Sequence, residues 1–215
     1  MRFLRHLIAL CFVVLALPSQ ATAATFFGEF WDASSRVNNL TAANAVMAAS
    51  GPTSTFVSTL IDYPNGDTNI TSSTGTTLAS YLGVDAGSIV GTSTVNLRRS
   101  VFRFTGFLDL LPGAQSFSMG SDDGFSLSIG GVIIAQQANS RGFRFTTLSV
   151  DAGEGRTPFE FIYFENQGNT GVELFIDGAL AAPAPVPLPA TLALLMAGLG
   201  ILGFSRKRRT ATVQA

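Results

Sequence analysis

The chain reads as an all-β protein, an antiparallel β-sandwich set between two targeting segments. Three observations predict this class. From Val101 onward, apolar and polar residues alternate with period two, the spacing of half-buried strands. Turn-forming clusters interrupt the alternation at short intervals. The 18 Phe residues supply bulky, strand-favouring side chains for a space between two sheets.

Residues 1–23 read as a secretory signal peptide. Arg2 and Arg5 form its positive start, residues 7–17 its apolar run, and Pro18 breaks that run. Ala21-Thr22-Ala23 is a small-x-small site, which places cleavage after Ala23. Cys11 lies inside the apolar run with Leu10 before it, where a lipidation site wants a small residue, so it reads as apolar filler.

Residues 24–180 are the length of one sandwich domain. Thr41 is expected to cap a short helix through Ala49, since Ala-rich sequence favours helix and Gly51-Pro52 ends it. Residues 56–61 read as a strand, 63–67 as a turn, and the Thr-, Ser- and Gly-rich 68–77 as an irregular loop with room for edge strands. Then come the alternating runs. Phe102 and Phe104 lead, followed by Phe125, Leu127 and Ile129, by Phe143 and Phe145, by Phe159, Phe161 and Tyr163, and by Val172, Leu174 and Ile176. Glu173 and Asp177 fall on the other side of the last run and are expected in solvent. Trp31, the only Trp, reads as core, and Arg98-Arg99 as surface charge.

Charge and composition exclude several functions. Six of the 13 basic residues lie in the two end segments, while all 14 acids lie between them, so the middle carries about −7. A basic nucleic-acid binder is excluded as the default. The middle contains no His, Cys or Lys. Ser-His-Asp and Cys-His triads, His/Cys zinc sites, disulfides and a Schiff-base lysine are therefore ruled out there.

The C-terminal end has a distinct order of parts. Residues 181–187 form a proline-rich linker, expected to be extended. Residues 188–204 carry no charge and are long enough to read as a short transmembrane helix. Residues 205–215 form a tail with Arg206, Lys207, Arg208 and Arg209, which the positive-inside rule keeps cytoplasmic. Val186-Pro187-Leu188-Pro189, the apolar helix and the Arg-rich end together resemble the PEP-CTERM sorting signal, with Leu188 where that signal usually has Glu. The resemblance implies a Gram-negative, exopolysaccharide-making source and recognition by an exosortase, a membrane transpeptidase. The precursor would sit in the inner membrane and the product at the cell surface or in the extracellular matrix.

A second resemblance covers residues 100–178. Phe104-Thr105-Gly106-Phe107-Leu108 leads to Phe117 and Met119, then to Ser121-Asp122-Asp123-Gly124-Phe125, to the 158–165 run Pro-Phe-Glu-Phe-Ile-Tyr-Phe-Glu, and to Gly171-Val172-Glu173-Leu174. This order resembles the domain named for the fourteen-kilodalton fragment of protective antigen, a β-sandwich also found in adhesins and glycosidases.

Asp122 and Asp123 draw most of the chemical interest. Paired carboxylates are hard oxygen ligands, suited to Ca²⁺. Neighbours in a strand point to opposite faces, so both reach one ion only in a loop or across an unusual peptide. The alternative reading is a hairpin turn with no ion. The resemblance implies a cis-linked Asp pair holding Ca²⁺ that binds sugar hydroxyls, a role that falls on Asp122 and Asp123. It also implies an Asn from another loop, for which Asn166 and Asn169 are the candidates. No enzyme is expected: Glu160 and Glu165 sit along a strand like solvent-facing charges, not across a sugar-sized gap. Two functions compete. One is a carbohydrate-binding, Ca²⁺-dependent adhesive module with an extracellular polysaccharide partner. The other is a structural matrix protein, or a tail-anchored periplasmic domain, without a small ligand.

Overall fold

The computed structural model describes residues 24–186, apart from residue 67. The signal peptide with its Ala23 cleavage site, Pro187, Leu188 and Pro189, the 188–204 segment and the basic tail lie outside the described residues. Among the described residues no helix is long and apolar enough to cross a membrane. Ala24–Pro185 forms one compact unit with its own core and strand pairing.

The chain runs through β1 (Phe26–Asp32), α1 (Leu40–Ala49), β2 (Ser54–Ser58), β3 (Asp62–Tyr63), β4 (Thr71–Ser72), α2 (Leu78–Leu82), a 3₁₀ turn (Gly83–Ser88) and β5 (Val90–Gly91). It continues through β6 (Ser100–Leu110), β7 (Gln115–Asp122), β8 (Gly124–Ile129), β9 (Val132–Gln137), β10 (Arg144–Val150), β11 (Gly155–Glu165), β12 (Asn169–Ile176) and β13 (Ala179–Leu180). One sheet has the order β5-β2-β1-β6-β11-β8-β9, and the other β10-β7-β12-β13, with β3 and β4 also paired to β12. The pairings are antiparallel. This is the expected all-β class.

The alternating Phe residues meet between the sheets. Phe102 is fully buried, with its ring 4.9 Å from Phe30 and 5.6 Å from both Tyr81 and Tyr163. Phe102→Ala should cost about 3–5 kcal/mol through lost burial and a cavity, read as a lower urea midpoint. Val132→Ala, on an exposed edge strand, should stay within about 0.5 kcal/mol. A smaller cluster of Trp31, Val37, Ala43, Val101 and Phe164 seats α1 on the first sheet.

Several local expectations are corrected. The helix is capped by Asn39, whose Oδ1 accepts from the Ala42 amide at 2.8 Å, not by Thr41. Asn outranks Thr as a cap. The strand expected over 56–61 ends at Ser58, while the 68–77 stretch carries a short edge strand, β4, as the reading allowed, and leads into α2. Glu173 is buried, not solvent-facing, and lies opposite Asp62 in the register of β12 and β3. Burial and the Asp62 charge push its carboxyl up to about 7. Phe145 is 45% exposed, because β10 turns Thr146, Leu148 and Val150 toward the interior instead.

The proline-rich segment does not leave the unit at residue 181. The Ala181 amide donates to Leu174 O and the Ala184 amide to Phe107 O, and both alanines are buried.

Candidate metal centre

Asp122 is the last residue of β7 in one sheet, and Gly124 opens β8 in the other. The Asp pair therefore sits where the chain crosses between sheets. This corrects the hairpin-turn alternative, since β7 and β8 pair with other strands and not with each other. The Asp122–Asp123 peptide is cis. Gly124 is required by close packing: a Cβ there would lie 2.5 Å from Gln137 O and 2.6 Å from the Phe164 ring.

The backbone of the pair is braced from behind. The Tyr163 hydroxyl donates to Asp122 O; it also lies 2.6 Å from Thr170 Oγ1 and accepts from the Gly171 amide. Ser121 Oγ donates to Asp123 O at 2.8 Å and accepts from Arg141 Nη2 at 2.9 Å. The Asp123 carboxylate accepts from two amides, Asn166 N at 2.8 Å and Arg141 N at 3.1 Å. Asn166 is tied back in turn, its carbonyl accepting from Arg99 N at 3.0 Å.

A third carboxylate completes the group. One oxygen each from Asp122, Asp123 and Glu165 lies within 4.8 Å of the others. The three residues are 8%, 6% and 0% exposed. Glu165 was expected among the solvent-facing acids, and its burial corrects that reading. Its position carried a signal: 159, 161, 163 and 165 share one strand face, and the first three are core aromatics. Asn166 Oδ1 and both Glu165 carboxylate oxygens are buried without a hydrogen-bond partner. Asn169 is exposed at the start of β12, opposite Ser72, and is not among these groups.

Such an arrangement is electrostatically unfavourable when metal-free. Burial, then the neighbouring Asp123 and Asp122 charges, push the Glu165 carboxyl up to about 9. Burial and the Asp123 charge push Asp122 up to about 6. Burial also raises Asp123, against the two amides that hold it down. The donors are all oxygens, with no nitrogen or sulfur, which fits a hard divalent cation and no soft one. Orphaned, fully buried carboxylate oxygens are the groups that an ion would satisfy. A separate groove of about 420 Å³ beside α1 is lined by Ala42, Ala45, Val46, Ala49 and Ser50 with Asp32 as its one ionisable group, so no chemistry converges there.

The PEP-CTERM protein-sorting motif matches residues 185–209. A comparison with curated protein sequences found no match. Among solved structures, the chain is similar to the PA14 domain of the MpAFP antifreeze protein, at a TM-score of 0.65 and 21% identity over 74% of this chain and 86% of that one. It is similar to a PA14 sugar-binding domain from an RTX adhesin, at a TM-score of 0.63 and 24% identity over 76% of this chain and 99% of that one. A subtype-switched epithelial adhesin A domain from Candida glabrata, in complex with beta-lactose, aligns at a TM-score of 0.51 and 11% identity, covering 80% and 93%. The chain thus has a PA14-like β fold and carries a PEP-CTERM protein-sorting motif at its C-terminal end.

Proposed function

We propose that this chain is an exported cell-surface or matrix protein whose sandwich binds carbohydrate through a Ca²⁺ site. The observation that carries the proposal is the group Asp122, Asp123 and Glu165, gathered within 4.8 Å, with the buried oxygens of Glu165 and Asn166 left unpaired. Asp122, Asp123, Asn166 and Glu165 would hold the ion. Ca²⁺ at such a site supplies open coordination positions that adjacent sugar hydroxyls can fill. Tyr163, Ser121 and Arg141 hold the Asp pair in place through its two carbonyls. The names of similar folds support the reading, one being a sugar-binding domain and another an adhesin in complex with beta-lactose. The acids converge on one buried point and do not face each other across a cleft, so we assign binding and not hydrolysis.

The sorting motif supports export, an exosortase-processed precursor and a Gram-negative source. The end of the compact unit suits display. Ala184 bonds Phe107, seven residues along β6 from Ser100, which pairs with Glu165. The proline-rich segment therefore docks roughly 24 Å from the carboxylates, toward the other end of the sandwich. The extracellular form should lack Phe204 and the Arg206–Arg209 cluster, as read by intact mass; a form retaining them would leave a simple membrane anchor.

Binding of the protein to a panel of neutral glycans, read in Ca²⁺ and in chelator, tests the function. Binding in Ca²⁺ that chelator abolishes is expected. Equal signals in the two conditions would remove the ion from the account, and no binding to any glycan would leave a structural matrix protein.

A further inference from the structure

Three Phe rings on the outer face of the second sheet take no part in the core. Phe143 and Phe145 meet edge to face at 5.5 Å, and Phe145 meets Phe175 at 6.0 Å. Phe143 and Phe145 lie over Gly120, which is buried beneath them: a Cβ there would come within 2.8 Å of the Phe143 ring and 2.9 Å of the Phe145 ring. Strand register fixes the position of this patch. Phe145 is opposite Gly120, and Gly120 stands two residues before Asp122 on β7, hence on the same face and about 7 Å away. The aromatic patch and the carboxylate cluster are thus continuous.

We propose that Phe143, Phe145 and Phe175 form an aromatic subsite for the apolar C–H face of a second pyranose in a chain whose first sugar is held at the carboxylate cluster. The inference rests on the function proposed above and extends it from a single sugar to an oligosaccharide. Aromatic faces carry negative partial charge and attract the weakly positive C–H face of a sugar ring. Ser118 and Thr147, hydrogen-bonded to each other at 2.8 Å across the strands beside the patch, offer hydroxyls to a sugar rim. Three partly covered rings fall well short of the roughly 800 Å² per partner that a stable protein interface buries. The net negative charge of the 24–204 stretch and the nearby Glu173 and Asp62 oppose an anionic lipid surface. A neutral sugar ring matches the size, the polarity and the location.

The test uses the full chain in a sugar-free zwitterionic detergent, with neutral monosaccharides and their di- and trisaccharides, lactose among them, as probes in Ca²⁺. Wild type should bind at least one disaccharide tenfold or more tightly than its terminal monosaccharide. Phe145→Ala should erase that difference and Phe145→Trp restore it, while Val132→Ala on the far edge strand binds as wild type does. Phe145 is solvent-exposed, and a Ca²⁺ titration on the same samples reports the carboxylate cluster separately. Undiminished disaccharide affinity in Phe145→Ala would overturn the subsite and leave Ca²⁺-dependent sugar binding standing. A change from dimer to monomer in Phe145→Ala with unchanged sugar affinity would overturn it in favour of contact between copies. Absence of all sugar binding by wild type would overturn both this inference and the proposed function.

Discussion

Calcium should raise the thermal midpoint of residues 24–186 by about 3–6 °C at ten times its Kd, and should not move that of Asp122→Ala/Asp123→Ala. The size follows from linkage. An ion that binds only the folded chain stabilises it by RT ln(1 + [L]/Kd), about 1.4 kcal/mol at that excess. One kcal/mol shifts the midpoint of a unit this long by about 2–4 °C. Affinities of extracellular modules run from about 10⁻⁴ to 10⁻³ M, so about 1 to 10 mM Ca²⁺ reaches the required excess. The double substitution removes two of the three carboxylates and leaves Glu165 unable to hold an ion alone. An equal calcium shift in wild type and variant would place the ion elsewhere.

The metal-free protein should be more stable at pH 5 than at pH 8, by about 5 °C or more. Glu165 keeps its proton to about pH 9 in the folded chain, against about 4.3 when unfolded. Between these values the folded state binds more protons, so its stability is greatest in acid and falls as pH rises. The slope reaches about 1.4 kcal/mol per pH unit for each proton held. Asp122, raised to about 6, and Glu173, raised to about 7, act with the same sign. The exposed Asp177 is held low by the Ser116 amide and the Gln115 side chain, so its opposite contribution changes only in stronger acid. Glu165→Gln removes the group with the highest of these values and should flatten the slope while weakening calcium binding. In wild type, calcium affinity should rise with pH, since ion and protons compete for the same oxygens. A midpoint that rises between pH 5 and pH 8 without calcium would contradict the burial of an unpaired Glu165. Calorimetric melts across that range decide it.

The long strands were legible because period-two alternation is a direct image of a two-faced sheet. Phe102 and Phe104, Phe125 and Leu127, and Phe159, Phe161 and Tyr163 all point inward as read. The short β3 was not legible, and β4 only as an unplaced edge strand within 68–77, since each is held by pairing with β12 and not by a pattern of its own. Phe143 and Phe145 alternate like core residues, but an outer-face alternation looks the same in sequence; Gly120 beneath them was the missing cue. In the candidate centre, the Asp122–Asp123 pair stood out because adjacent acids are costly to place without a reason. The charge of Glu165 points to solvent when taken alone. Its parity with Phe161 and Tyr163 placed it in the interior. Asn166 could be named but not separated from Asn169 until the fold showed one at the carboxylates and the other exposed.

Calorimetric titration of Ca²⁺ into metal-free protein at pH 7.5 tests the central claim most directly, because it reads the ion without assuming a sugar. A single saturable site per chain is expected in wild type, with no detectable heat from Asp122→Ala/Asp123→Ala. No binding by folded wild-type protein up to about 10 mM Ca²⁺, beyond the weak end of the range for extracellular modules, would contradict the account.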